Sequence, residues 1–253
     1  MQLVGRTMMR ALSLAAAMVM ATTFSVSASS LPKGNCNAPG PMTDLSHCNL
    51  AGGKFQKADL HGANLSGLDL TNTDFQGANL EGALFVGSDL QWSKFMECNL
   101  KNADLTKTKL FHTRFDYSDM SGARLVEAFM FGTNINFVEA PGADLTGANM
   151  KDVNMEETSI KGGSLRNTYM LRGFLLGSDF SNADLSGADM TGTTSEEVDF
   201  SGAKLHGTKL KGSHLERAKF IGADLKDADL TNAITDGADF TDALNIPKKL
   251  AQK

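Results

Sequence analysis

Three cysteines and five histidines are the side chains best suited to metal binding or nucleophilic chemistry. A zinc or thiol–disulfide exchange site would favour a Cys-x-x-Cys motif, which the sequence lacks. Cys36 and Cys48 enclose a short segment and could form a disulfide in an oxidising compartment, worth about 3 kcal/mol for a loop of this size. Cys98 occupies an inward position of the pattern described below, as a small apolar residue. The cysteines therefore predict structural cross-linking rather than catalysis.

The first 28 residues have the features of an export signal. Arg6 and Arg10 give a positive start, residues 12–26 are mostly apolar, and a small-residue cleavage site ends at Ala28. The apolar stretch falls short of the roughly 20 residues that span a bilayer, and a retained N-terminal anchor is the alternative. We expect cleavage after Ala28 to release a periplasmic or secreted chain with no stable membrane insertion.

The charge balance argues against a nucleic-acid partner. The chain carries 24 basic and 29 acidic residues, and loss of Arg6 and Arg10 with the leader leaves 22 against 29, a net charge of −7. A surface that binds phosphates needs a basic stripe, which a mildly acidic chain does not favour. We therefore expect no nucleic acid among the partners.

An apolar residue recurs at every fifth position through most of the chain. Of the 40 such positions from Leu45 to Phe240, 37 are Leu, Phe, Met or Ile, and the exceptions are Ala140, Ser195 and Thr235. Residues five apart are rotated by about 140° on an α-helix and point to opposite faces of a flat strand. The chain must therefore turn a corner in each repeat to send all these side chains, here called centres, into one core.

The positions between the centres follow the same period. Two residues before each centre there is usually a small residue, such as Ala58 or Ala63, which points inward on extended backbone. Asp or Asn directly precedes the centre and points outward. Glycine is frequent two residues after the centre, for example at Gly62, where a tight corner favours it.

Residues 58–67, Ala-Asp-Leu-His-Gly-Ala-Asn-Leu-Ser-Gly, resemble the pentapeptide-repeat family, whose pattern is A-[DN]-L-x-x. The resemblance covers about residues 43–244 and implies an all-β fold, a right-handed quadrilateral β-helix with four repeats per coil. About ten coils would then stack into a rod of roughly 48 Å. We expect residues 29–42 to form an N-terminal cap and residues 245–253 a C-terminal cap or tail.

Charges at the position before each centre test the coil length, because opposite charges are favoured where residues lie above one another. At a spacing of 20 residues there are 11 opposite-sign pairs and 4 like-sign pairs, whereas a spacing of 15 gives 4 and 10. A spacing of 25 gives 7 and 3. The charges exclude a three-sided coil, and the family resemblance selects the four-sided one.

Two segments interrupt the repeat, and each is expected to form a local bulge. Residues 139–141 lose a large centre and gain a proline, which cannot donate a ladder hydrogen bond. Residues 194–197 lose another centre and place two acidic residues outside.

The repeat also disperses the polar residues. On a 20-residue coil no two histidines lie near each other in one column, and the repeats direct polar side chains outward rather than into a cleft. A catalytic site needs convergent polar groups in a sheltered pocket. We therefore predict that the chain is not an enzyme and holds no metal or cofactor.

An apolar stripe on the middle coils departs from the polar surface that a solenoid should have. Contiguous exposed apolar surface is typical of binding sites, and aromatic anchors are enriched in interface cores. The alternatives are that the chain itself covers the stripe, or that its aromatic side chains stack to stabilise the ladder. The candidate interface comprises Trp92, Met96, Phe111, Tyr117, Phe129, Phe131, Phe137, Tyr169, Leu171, Phe174 and Leu176.

The sequence thus predicts an exported, non-enzymatic scaffold that binds a protein partner, or itself as a homodimer, through this stripe. One alternative is DNA mimicry, by which some cytosolic family members engage DNA gyrase, although basic residues interrupt the acidic columns here. The other alternative is a glycan or cell-wall binding module, in which exposed aromatic side chains would stack on sugars.

Overall fold

The repeats build a right-handed, four-sided β-helix in the computed structural model, which describes residues 30–247. The leader, its cleavage site and residues 248–253 of the C-terminal tail lie outside this range. Isolated parallel β-bridges join residues 20 apart, from Asp44↔Asn64 to Asp224↔Leu244. A further bridge, Lys33↔Asp44, joins the N-terminal segment to the first coil. The coil length of 20 residues confirms the four-sided prediction.

Each repeat turns a corner through a hydrogen-bonded turn. The carbonyl of a centre accepts a hydrogen bond from the amide three residues later, as Leu60 does from Ala63 at 3.1 Å. The second residue of the turn has a positive φ at every corner from Gly52 to Asp242. This conformation is disfavoured for most side chains, which accounts for the frequent glycine and asparagine at that position.

Backbone hydrogen bonds between coils stack the corners in register. The amide of Leu65 donates to the carbonyl of Leu84 at 2.7 Å, and the amide of Leu84 donates to the carbonyl of Ala63 at 2.9 Å. The same spacing recurs from coil to coil along the described chain. Because these bonds run along the rod, its sides present paired backbone groups rather than an open sheet edge.

The centres form one core in which identical side chains stack. The rings of Phe75, Phe95 and Phe115 are fully buried and follow one another at centroid distances of 4.8 and 4.9 Å. Hydroxyls at the small inward position are bonded as well, since Ser88 Oγ and Ser93 Oγ each donate to a carbonyl of the coil below at 2.7 Å. The core is therefore apolar at nearly all centres, and its buried hydroxyls are hydrogen-bonded.

The expected bulges at residues 139–141 and 194–197 are wrong. The ladder continues through both segments, because Glu139 bridges to Asp119 and Ser159, and Thr194 bridges its neighbours in the same way. Pro141 occupies the first turn position, where its carbonyl accepts from the amide of Gly122 at 3.0 Å. The small Ala140 leaves an internal cavity of only about 10 Å³ instead of a distortion.

The two ends of the rod differ in their covering. A disulfide between Cys36 and Cys48, with Cα atoms 5.3 Å apart, ties the N-terminal segment to the first coil. At the other end Ile246 packs against the last coil, while Leu244 is 57% exposed. No helix among residues 30–247 has the length and apolarity needed to cross a membrane.

Outward aspartates stabilise the corners that follow them. Asp69 Oδ1 accepts hydrogen bonds from the amide and the hydroxyl of Thr71 at 3.0 and 2.8 Å. These two bonds favour the charged form and lower the pKa of Asp69. The Asp of the repeat motif therefore stabilises the turn that follows it and also contributes a surface charge.

Replacing Phe95 by Ala should reduce the free energy of unfolding by about 3–5 kcal/mol, because it removes a buried ring from the middle of a stack. Phe129→Ala is the matched control: Phe129 is 58% exposed, and its loss should change stability by less than about 0.5 kcal/mol. Urea denaturation followed by circular dichroism measures both. Equal effects of the two variants would contradict the assignment of Phe95 to the core.

Candidate functional site

Most of the outer surface carries paired charges. Lys109 Nζ lies 3.1 Å from Asp89, and Arg172 binds Asp152 through two contacts of 2.8 and 2.7 Å. Each pair joins residues one coil apart, and Asp89–Lys109 is one of the opposite-sign pairs counted in the sequence. Exposed pairs of this kind add little stability, but they interrupt the acidic columns along the rod.

Two groups of potential metal ligands occur in the described chain, although the 20-residue coil assumed from the sequence predicts none. His47 Nε2 lies 3.5 Å from the sulfur of Cys36, but the two sulfurs of that group are joined in the disulfide. His214 lies beside Glu196 and Glu216 on neighbouring coils. Since Arg217 already contacts Glu196 at 3.5 Å, a guanidinium supplies positive charge at this second group.

Aromatic rings stack along one corner of the rod, in a group we call the corner cluster (Trp92, Phe111, His112 and Phe131). The rings of Phe111 and Phe131 lie one coil apart with centroids 4.9 Å apart, and those of Trp92 and His112 are 4.4 Å apart. Trp92 also meets the edge of Phe111 at 6.2 Å. The cluster forms because two adjacent turn positions carry rings in consecutive coils. Phe111 stacks on Phe131 at the first position, and Trp92 lies against His112 at the second.

A surface pocket of about 330 Å³ opens beside the corner cluster, and we call it the Phe pocket. Two columns of side chains form its walls, one from the position before the centre and one from the position after it. The floor between them is the ladder itself. The lining residues are Gln91, Lys109, Phe111, Phe129, Phe131 and Asn149.

The polar groups around the Phe pocket differ in whether they already bind a neighbouring acidic side chain. At one end, Gln91 Nε2 and Lys109 Nζ both contact Asp89, each at 3.1 Å. At the other end, the ammonium of Lys151 lies 5.8 Å from the centroid of Phe131, a cation–π distance. The pocket therefore combines apolar walls with one end closed by internal bonds and one end that carries a positive charge.

The structure places all eleven residues of the candidate interface on the outside, but it divides them. Tyr117 and Phe137 stack at 5.0 Å on the next corner, and no ring contact among residues 30–247 joins them to the corner cluster. Tyr169 and Phe174 are exposed beyond the polar coil that carries Lys151. The remaining residues, Met96, Leu171 and Leu176, are half-buried.

Sequence reasoning missed His112 and the polar lining of the Phe pocket. His112 lies one coil after Trp92, and Lys109 lies one coil before Phe129, so the 20-residue spacing contains the information. A search confined to apolar residue types does not select them. Charged and amide side chains near an aromatic column had to be placed in space before their part in the pocket was visible.

Two family models match the chain. The model for the pentapeptide repeat region matches residues 42–115, and the model for pentapeptide repeats matches residues 130–167, 164–194, 199–234 and 223–244. The chain belongs to the pentapeptide-repeat family. This membership confirms the family predicted from the repeat pattern, and a comparison with curated proteins finds no match.

Several solved structures of pentapeptide-repeat proteins are similar to the chain. HetL of the cyanobacterium Nostoc, a protein involved in heterocyst differentiation regulation, is 26% identical, with 81% of this chain and 89% of that chain covered and a TM-score of 0.41. Trypsin-treated QnrB1, a plasmid-mediated fluoroquinolone resistance protein, is 19% identical over 81% and 93%, with a TM-score of 0.36. A protein of the Arabidopsis thaliana thylakoid lumen is 21% identical over 49% and 79%, with a TM-score of 0.33.

Replacing His112 by Ala should make Trp92 more accessible to acrylamide, because the imidazole covers one face of the indole. Trp92 is the only tryptophan and is already 55% exposed, so its fluorescence reports this corner alone. His214→Ala, about six coils away from the indole, is the control and should leave the quenching constant unchanged. Identical quenching of the wild type and His112→Ala would contradict the stacking.

Proposed function

We propose that this protein is an exported, non-enzymatic scaffold that binds a protein partner through the corner cluster and the Phe pocket. The observation that carries the proposal is the clustering of exposed aromatic side chains on a rod whose outer surface is mostly polar. Trp92 and Phe129 are 55% and 58% exposed, although burial of such side chains is favourable. Exposed aromatic anchors around a pocket are typical of protein interfaces.

Export is supported by the leader and by the cysteines. Residues 1–28 have the charge and apolar pattern of a cleavable signal, and a disulfide between Cys36 and Cys48 is stable in an oxidising compartment. The remaining cysteine, Cys98, is buried, and burial raises the pKa of its thiol to about 12, which keeps it unreactive. A periplasmic or extracellular location therefore suits both the leader and the thiol chemistry.

DNA mimicry and glycan binding have weaker support. A DNA mimic needs dense negative charge, whereas the acidic columns here are interrupted, for example where Arg124 lies 3.7 Å from Asp104. A sugar site needs available hydrogen-bonding groups beside the aromatic rings. Gln91 and Lys109, the polar residues at one end of the Phe pocket, are both bonded to Asp89.

Expression of the full chain in a Gram-negative host should yield a soluble envelope form that begins at Ser29, because the leader is cleaved after Ala28. Intact mass measurement and cell fractionation test this. The same measurement under non-reducing conditions should show two cysteines oxidised. A cytoplasmic product that retains residues 1–28 would contradict the export proposal.

A photoreactive phenylalanine analogue at Phe129 should crosslink a specific partner in the native envelope, because this ring projects beside the Phe pocket. The same analogue at Lys211, an exposed site on a distant coil, is the control and should not give that product. Mass spectrometry identifies the crosslinked chain, and a second copy of this protein would show the partner to be itself.

The double variant Phe129→Ser, Phe131→Ser should lose this partner in a pull-down while remaining folded. Ile221→Ser, which removes a 39% exposed apolar side chain elsewhere, should retain it. Light scattering on the same samples reports self-association. Retention of every partner and of the same molecular size by the double variant would refute the proposed function.

A further inference from the structure

We propose that the Phe pocket binds one apolar side chain of the partner protein, aromatic or branched aliphatic, with a carboxylate beside it that pairs with Lys151. The inference rests on the proposed function, since it specifies the partner segment for the same surface. It follows from three properties of the rod: its paired backbone, the size of the pocket and the distribution of charge around it.

The partner must be recognised through its side chains. Along the sides of the rod the backbone amides and carbonyls bond between coils, as Leu110 does with Phe129 at 2.7 Å and Phe129 with Thr108 at 2.9 Å. A peptide therefore has no open edge at the Phe pocket to which it could add a strand. Recognition by an inserted anchor side chain is the mode that this surface allows.

The size and walls of the pocket fit one anchor. A volume of about 330 Å³ is at the lower end of the range for ligand sites, enough for a single ring or branched side chain but not for a folded segment. Phe111 and Phe131 stack on one side, and Phe129 stands on the other. An anchor between them would bury ring surface on both sides, which is the main source of affinity at such contacts.

The charges around the pocket select an acidic neighbour. Lys109 is paired with Asp89, and Asp152, the acid next to Lys151, is held by Arg172. Within residues 30–247 Lys151 forms no ion pair of its own, and its ammonium lies over the ring of Phe131, which lines the pocket. A carboxylate next to the anchor would reach this ammonium, whereas a basic neighbour would be repelled.

Short random peptides displayed on phage and selected on the mature wild-type protein test the inference. We expect the selected peptides to share a Phe, Trp, Leu or Ile with an Asp or Glu within two positions. Binding of one such synthetic peptide should be visible in the fluorescence of Trp92, which contacts the pocket residue Phe111. Selected peptides without an acidic residue near the anchor would overturn the proposal.

Charge reversal gives the sharper measurement. Lys151→Glu should weaken the binding of the acidic peptide by about tenfold. It should strengthen the binding of the same peptide with Lys in place of its acidic residue. Lys211→Glu is the matched control, because Lys211 stands in the same column three coils away and is exposed. Equal affinities of the two variants would refute the role of Lys151, and urea midpoints confirm that both are folded.

Two further results separate this inference from its competitors. If decanoate alters Trp92 emission saturably and no selected peptide does, the pocket takes a small amphiphile and the inference is wrong. If Phe131→Ser abolishes capture of the native partner but Lys151→Glu does not change it, the proposed function stands and only the acidic pairing fails. If Phe131→Ser leaves capture intact, the proposed function itself fails.

Discussion

The register of the inter-coil ladder is the constraint on which the rest of the structure depends. In the coils between Asp44 and Leu244 the bridges join residues 20 positions apart, and they keep this spacing without a slip. One slipped residue would move a centre from the core to the surface. A turn residue with positive φ recurs at each corner, which fixes the spacing locally. Core side chains such as Phe75 and Phe95 stack on each other from coil to coil, which fixes it across coils.

The same register creates the candidate functional surface. Any residue type repeated at a 20-residue interval becomes a column, whether it lies inside or outside the rod. Inside, this gives the phenylalanine stack through Phe95. Outside, it gives the alternating charges and the pair Phe111–Phe131. A pocket on such a rod therefore forms where the columns on either side of the centres change type together, as they do beside Phe129.

The tolerance of the ladder explains why the sequence misleads at its irregular points. Ala140 and Ser195 replace large centres, and a bulge is a reasonable expectation for each. The ladder continues because its stability is distributed over many backbone hydrogen bonds and neighbouring centres. The missing side chain leaves only a small cavity at Ala140, and at Ser195 the hydroxyl is hydrogen-bonded to Thr193. In a nearest-neighbour solenoid, single defects are absorbed by the coils on either side.

The five-residue period by itself determined the inward or outward direction of residues such as Leu65 and Trp92, because the chain must turn a corner in every repeat. The charge pairs excluded a three-sided coil, and the family resemblance selected the four-sided fold with its coil of 20 residues. Only the tertiary structure decided which outward side chains meet. The sequence predicts a single stripe, whereas the structure divides it into a corner cluster, a separate Tyr117–Phe137 stack and the Phe pocket. The ammonium of Lys151 lies over Phe131, one of the rings that line this pocket. The period fixes where each Cβ lies, but the contacts of long side chains depend on their rotamers and on the neighbouring columns that they reach.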